Sequence, residues 1–459
     1  MTRGDDGGPR PPASRAVTGA GTRPGRWRLR LLPPDASSDA RWLLAARGLR
    51  AYADGLVSVL LPVYLLDRGF DAFTVGLLST LTLLGSAGFT LGVGALTNRF
   101  GHRALLFVGC VLMAGTGIGF ATLQGFWPLA VVAFVGTLNP SAGDVSLFLP
   151  LEQSLLSQLI DARGRTALFA RYSLVGTLVG ALGSLSAGLP AVVAGVLALP
   201  QRAGLDAAFL VYAALAGLAG LCYRRLSTGL APAARGQAAP LGASRPLVIR
   251  LAALFSLDAL GGGFFVQSLL VVWLHERFGV AISTIGAILF AANGLAALSF
   301  LAAVPLSRRF GLINTMVFTH LPSNLLLVLV PFAPTLGLAV ALYLARSALS
   351  QMDVPTRTSY VMAVVPAEAR AAAASVTAVP RSLASAASPI LGGYLLSLSA
   401  FGWPLVVGGV VKGIYDVLLL VQFRTVRPPE EGGASGRQTR AAGETRMTRE
   451  GASHTARPS

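Results

Sequence analysis

From Leu43 to Phe423 the chain is a series of long apolar runs broken by short polar clusters. The runs predict helices over Leu43 to Leu66, Phe73 to Thr97, Ala104 to Leu123, Trp127 to Leu156, Ala167 to Leu189 and Ala207 to Leu226. Beyond an Arg-, Pro- and Gly-rich stretch from Arg224 to Pro246, six more follow: Leu247 to Leu274, Ala281 to Leu306, Leu312 to Phe332, Thr335 to Val365, Ala371 to Leu398 and Trp403 to Phe423. A hydrocarbon core of about 30 Å calls for roughly 20 apolar residues per helix, so these runs read as membrane crossings. Pro190 to Pro200 is apolar but short, and reads as a loop or interfacial turn. The expectation is an all-α membrane protein of twelve transmembrane helices in two halves. Its domains would be a disordered tail over 1–42, a six-helix bundle over 43–226, a linker over 227–246, a second bundle over 247–424 and a tail over 425–459.

The halves repeat one another. Asn98, Arg99, Phe100 and Gly101 recur as Arg308, Arg309, Phe310 and Gly311, 210 positions later, and Gly76 and Gly286 share that displacement. Asp144 matches Asp353 at 209 positions, at the same place in the six-helix unit. Such internal similarity is common in transporters.

Composition agrees with a lipid environment: 53% of the 459 residues are hydrophobic and only 12% charged. The net charge of +17 does not define a nucleic-acid surface, because the basic residues are not gathered on one folded face. Ten arginines fall between Arg3 and Arg50 and seven between Arg424 and Arg457, in tails too poor in apolar residues to fold alone. Arginine bias in the short loops sets the orientation. With both termini cytoplasmic, the inner loops hold Arg99, Arg103, Arg163, Arg165, Arg171, Arg224, Arg225, Arg235, Arg245, Arg308, Arg309 and Arg370, against Arg68, Arg202 and Arg277 outside. The expected location is the cytoplasmic (inner) membrane. Residues 1–40 hold no signal-type apolar segment, so the first crossing is expected to direct insertion. Cys110 and Cys222 lie in apolar helices and offer no disulfide framework.

The stretch Gly94, Ala95, Leu96, Thr97, Asn98, Arg99, Phe100, Gly101, His102, Arg103 resembles the loop motif between the second and third helices of the major facilitator superfamily. That resemblance implies two pseudo-symmetric six-helix bundles rocking about a central cavity, lined mainly by helices 1, 4, 7 and 10. Asn98 stands where the family pattern has an aspartate, which implies a weaker latch at this loop. The proline-containing motif that family antiporters carry in helix 5 is absent, although Gly176, Gly180, Gly183 and Gly188 supply glycines there.

Charges inside the membrane are the informative positions, since each costs at least about 2.5 to 3.5 kcal/mol at mid-bilayer on insertion scales. Asp54 and Asp258 lie about ten residues into helices 1 and 7, roughly 15 Å from one face, and are the candidates for proton coupling. The competing reading pairs Asp54 with Arg50, and Asp258 with Arg346 or Arg381. Arg346 and Arg381 are candidates to line a substrate cavity, because a guanidinium matches carboxylate or phosphate. Asp144, Glu152, Asp353 and Arg357 read as gate residues forming salt bridges between the halves or with the Arg163 to Arg171 loop, the alternative being structural pairs within each half. Lys412 and Asp416 have i, i+4 spacing and read as neutralising each other.

His102, His275, His320 and His454 show no metal spacing, and neither a nucleophile elbow nor a phosphate loop is present. An enzyme is therefore not expected, nor a cofactor. The function expected is secondary transport of a small molecule by alternating access, coupled to protons and directed outward, by a monomer. Alternatives are a uniporter or exchanger of an organic anion gripped by membrane arginines, and a membrane sensor without transport.

Overall fold

The computed structural model describes residues 37–140, 147–159, 162–227, 241–366 and 369–424, the side chains of 93–98, 157, 162–167, 243, 304, 308, 358, 362, 370 and 371 excepted. Most of both tails, most of the linker and Asp144 lie outside the described residues. Fifteen α-helices make up the described chain: α1 (Ser38–Asp67), α2 (Ala72–Thr122), α3 (Phe126–Val135), α4 (Phe148–Gln158), α5 (Ala162–Leu185), α6 (Leu189–Val196), α7 (Gln201–Arg224), α8 (Arg245–Gly263), α9 (Gln267–Phe278), α10 (Ile282–Phe310), α11 (Leu312–Leu329), α12 (Leu336–Leu349), α13 (Asp353–Val364), α14 (Arg370–Leu398) and α15 (Trp403–Phe423).

These helices are consistent with twelve crossings, because several crossings are interrupted and one helix turns a corner. α2 carries the second and third crossings around Gly101, whose φ of 72° and ψ of 157° are not helical. α3 with α4 forms the fourth, α8 with α9 the seventh, and α12 with α13 the tenth. Among the described residues, nine helical spans are long and apolar enough to cross a membrane individually. The helix expected over Trp127 to Leu156 is thus two helices, since Gly136 is extended at φ −77° and ψ −177°. The segment expected to be a loop at Pro190 to Pro200 begins as α6, a continuation of α5 that extends one apolar span over Leu168–Val196. α1 starts at Ser38, five residues before the first apolar run, because the Ser37 hydroxyl accepts from Ala40 N and caps it.

The loop repeat is a structural repeat. Gly311 has φ 85° and ψ 165°, close to Gly101. Both positions lie in the left-handed half of backbone space, where a Cβ is strained and glycine is not. The preceding arginines take the same pose too, Arg99 over Phe100 at 5.5 Å and Arg309 over Phe310 at 5.4 Å.

In the first half α1 packs on α5 and α7, and α2 on α7; in the second α8 packs on α14 and α15, and α11 on α15. Large apolar side chains face outward as well as inward: Trp127 is 77% exposed and Val196 80%, with Leu301, Phe318 and Val421 also outside. In water such a surface would aggregate, and in lipid it is the solvent-facing side.

The halves touch through α2 with α14 and α10 with α5. These are pseudo-equivalent pairs. Gly76 of α2 meets Gly393 of α14, and its repeat mate Gly286 of α10 meets Ser184 of α5. Between described residues, the hydrogen bonds joining the halves are Ser79 Oγ to Ser268 Oγ (3.0 Å), Gln267 Nε2 to Ser58 Oγ (2.7 Å) and Ser184 Oγ (3.3 Å), Ile390 N to Thr80 Oγ1 (2.9 Å), and Ser268 N to Pro140 O (3.1 Å). All lie toward the face opposite the one where α1 begins and α15 ends. The molecule is closed at that far face, and no such bond joins described residues at the terminal face.

Candidate functional site: two buried charge networks

Each half encloses a charged network at membrane depth. In the first, Arg50 of α1 pairs with Glu152 of α4 at 2.5 Å, both essentially inaccessible. Arg50 Nε donates to Tyr223 Oη at 3.0 Å, and the Tyr223 and Tyr172 hydroxyls both donate to the Glu152 carboxylate. The Arg50 guanidinium also stacks over Phe148 at 4.0 Å. α1, α4, α5 and α7 contribute, through residues that the sequence scatters over more than 170 positions.

The second network is larger. Asp258 of α8 accepts from Lys412 Nζ of α15 at 2.6 Å and from Arg357 Nη2 of α13 at 2.8 Å. Arg357 also donates to Asp353, one turn before it. His320 of α11 stands between two carboxylates: its Nε2 is 3.8 Å from Asp258 Oδ1, and its Nδ1 is 2.9 Å from Asp416 Oδ1. Asn324 Nδ2 donates to Asp416 Oδ2 at 2.8 Å. Tyr415 and Phe255 flank the Arg357 guanidinium at 5.7 and 5.0 Å.

The two networks are related with their charges exchanged. Crossing 1 supplies the cation and crossing 4 the carboxylate in the first half; crossing 7 supplies the carboxylate and crossing 10 the cation in the second. A buried pair of this kind adds little net stability, but removing one partner strands a charge and costs about 3 to 5 kcal/mol.

Several expectations are corrected by this geometry. Asp258 pairs with Arg357 and Lys412, not with Arg346 or Arg381. Lys412 and Asp416 do not neutralise each other: Lys412 reaches Asp258 on α8 and Asp416 reaches His320 on α11, since each side chain leans across to a neighbouring helix instead of along its own. Glu152 bridges helices within the first half, Arg357 bridges α13 to α8 within the second, and Asp353 pairs with Arg357 on its own helix; none of the three joins the halves here. Gln267, nine residues after Asp258, lies beyond the break between α8 and α9 and binds the first half. Asp144 lies outside the described residues.

Asp54 is half-buried on α1, four residues beyond Arg50 and near Tyr212 of α7, whose hydroxyl donates to Thr137 O at 3.4 Å. Arg346 stacks over Phe265 and Tyr343 at 5.0 and 5.6 Å, with its Nε buried and without a hydrogen-bond partner. Arg381 is exposed and lies within electrostatic range of Asp258, Asp353, Arg357 and Tyr415. In the loop motif, Gly94 and Asn98 are helical in backbone, their side chains lying outside the described residues. Arg103 donates to Arg224 O at 2.6 Å and, with Phe100, Ala104, Phe107, Tyr223 and Arg224, lines a shallow surface cavity of about 480 Å³.

The sequence reading missed His320, Asn324, Lys412 and Asp416 as one site. A signal was present: His320, Ser323 and Asn324 fall at i, i+3 and i+4, a polar stripe on one face of a largely apolar helix. All three are buried.

Two repeated six-helix halves, sealed at one face and charged within, are the architecture of a membrane transporter. The model of the Major Facilitator Superfamily matches residues 43–350, and the chain belongs to that family. An uncharacterized membrane protein of Saccharomyces cerevisiae is 24% identical over 429 residues, covering 84% of this chain and 94% of the yeast protein. A putative multidrug resistance protein of Pectobacterium atrosepticum is 34% identical over 96 residues, 20% of this chain and 21% of that one. Among solved structures, a bacterial homolog of the human lysosomal transporter Spinster superimposes with a TM-score of 0.67 at 15% identity, covering 84% of this chain and 96% of that one. The nucleoside transporter NupG gives 0.66 at 14% identity, covering 84% and 99%. At these identities the structural likeness speaks for the fold. The chain is accordingly a multi-pass membrane transporter and not an enzyme.

Proposed function

We propose that the protein exports a small molecule in exchange for protons, residues 43–226 and 247–424 rocking against each other as two bodies. The observation that carries proton coupling is His320, buried between Asp258 and Asp416. The ionisable groups facing it are Asp258 from α8, Asp353 and Arg357 from α13, and Lys412, Tyr415 and Asp416 from α15. Three carboxylates there meet two permanent cations, Arg357 and Lys412. A neutral His320 leaves that group with an excess negative charge, and one proton on the imidazole removes it. A charged imidazole carries an N–H toward each carboxylate, so it holds α8, α11 and α15 together; the neutral form gives up one of those links. Protonation of Asp258 itself would free Lys412 and Arg357. Asp54, with Tyr212, is the proton carrier assigned to the first half.

Orientation follows from the arginine bias, with both termini in the cytoplasm of a cell bounded by an inner membrane. The sealed far face is then periplasmic, and this conformation opens inward to collect cargo. Export is supported by the short similarity to a putative multidrug resistance protein.

Proteoliposomes with a trapped pH dye, challenged with a panel of anionic, neutral and cationic organic compounds, test the reading. A compound that the protein moves should shift the internal pH, and His320→Gln and Asp258→Asn should abolish that shift while counterflow exchange survives. Transport that moves no protons and ignores a protonophore would contradict it.

A further inference from the structure

The second half holds more positive charge at membrane depth than its carboxylates can answer. Asp258 is taken by Lys412 and Arg357, Asp353 by Arg357, and Asp416 by His320 and Asn324. Arg346 and Arg381 are left with neither an ion pair nor a side-chain hydrogen bond among the described residues. Arg346 lies ten residues into α12 from the far face, and Arg381 eleven residues into α14 from the terminal face. At 1.5 Å per residue both reach about the same level, roughly 15 Å deep. Both lie within electrostatic range of the same carboxylates, Asp258 and Asp353.

Arg346, with its Nε buried, needs an anion at this depth, and the exposed Arg381 adds a second cation in the same half. Protein carboxylates do not supply it, because all three are occupied. Arg346 is already shaped for a ligand: Phe265 and Tyr343 fix its plane by stacking, while its Nε lies buried without an acceptor. A planar fork with free N–H groups matches carboxylate, phosphate or sulfonate in a two-point contact.

We propose that Arg346 and Arg381 bind the cargo, and that the cargo is a small organic anion with an aromatic or flat apolar body. The acid group bridges the two guanidiniums, and the body lies along Phe265 and Tyr343. This rests on the reading that the protein carries a small molecule, but it does not depend on proton coupling. An anion at these arginines also draws on the charge that holds Asp258 and Asp353, so cargo and network would answer to one another.

Equilibrium binding to purified protein in phosphatidylcholine nanodiscs tests this without any gradient. The probes are 2-naphthoate, 1-naphthyl phosphate and the neutral 2-naphthamide, with affinity read by microscale thermophoresis and folding checked by thermal unfolding. Expected is binding of the two anions at least about tenfold tighter than of the amide, lost by about tenfold or more in Arg346→Gln and in Arg381→Gln. Arg346→Lys and Arg381→Lys should unfold at the wild-type temperature and recover part of the affinity. Equal binding of anion and amide, or full anion affinity in both glutamine variants, would overturn the proposal. So would binding displaced only by adding phosphatidylglycerol to wild type and glutamine variants alike, which places the anion in a lipid contact elsewhere. Failure of proton coupling in the liposome experiment leaves all these outcomes readable.

Discussion

Lys412 shows how a side chain four carbons long can defeat a local rule. Spacing pairs it with Asp416 on its own helix, yet a buried i, i+4 pair leaves both charges with unsatisfied bonding capacity, whereas reaching across to Asp258 satisfies Lys412 and leaves Asp416 for His320 and Asn324. The pairing predicts a rescue pattern. Lys412→Met alone removes one of the two cations holding Asp258 and should cost about 3 to 5 kcal/mol, seen as a lower unfolding temperature. Adding Asp258→Asn should restore most of that loss; adding Asp416→Asn should not. Rescue by the second change instead of the first would return Lys412 to its own helix. In the other half, Arg50 and Glu152 escaped notice as a pair for the same kind of reason: 102 positions separate them, and only the packing of α1 on α5 and α7 beside α4 brings them together.

At the scale of the element, the readable features were those that a short segment determines alone. The corners at Gly101 and Gly311 are legible because a positive φ after Arg-Phe needs glycine, and that requirement repeats in both copies. Apolar length gave the crossings. The interruptions were harder, because a membrane helix tolerates broken hydrogen bonds only where neighbours satisfy them, which is tertiary information. Gly261, Gly262 and Gly263 mark the break between α8 and α9, and the break lets Gln267 and Ser268 turn toward the first half. Contact between α2 and α14 is as close as backbone permits: a Cβ on Gly76 would lie 2.9 Å from Gly393 Cα and 3.1 Å from its N. Backbone atoms cannot rotate away, so Gly76→Leu should oppose far-face closure by about 1 to 3 kcal/mol, shifting the populations about 5- to 150-fold. A Ser79→Cys reporter beside it, buried in the closed face, should then react correspondingly faster with a membrane-impermeant maleimide. An unchanged labelling rate would show that this contact does not gate the far side.

Across the whole molecule, architecture was legible and chemistry only partly so. Twelve crossings, the duplication and the family follow from apolar periodicity and one loop, both of which survive any rotation of a helix about its axis. Which charges meet does depend on that rotation, so the sequence could name Asp258, Arg346, Arg357 and Arg381 but could not assign their partners. The structure separates them into an occupied set and an unoccupied one. It also gives the seal between the halves a definite place, at the far ends of α2, α5, α10 and α14, built among the described residues from Gly76, Gly286, Gly393 and small hydroxyl residues instead of salt bridges. Small-residue contacts separate without stranding charges, and charges held inside each half let it move as a unit.

Rocking of two such units makes opposite demands on the two faces, and paired distance measurement tests it most directly. With Cys110 and Cys222 replaced by serine, spin labels at Phe100 and Phe310 report the terminal face, and labels at Trp127 and Phe332 report the far face, all four sites being exposed. Electron–electron double resonance in liposomes, on changing pH or adding 2-naphthoate, should show the terminal-face distance shorten while the far-face distance lengthens. Two distances that stay fixed, or that change in the same sense, would contradict alternating access.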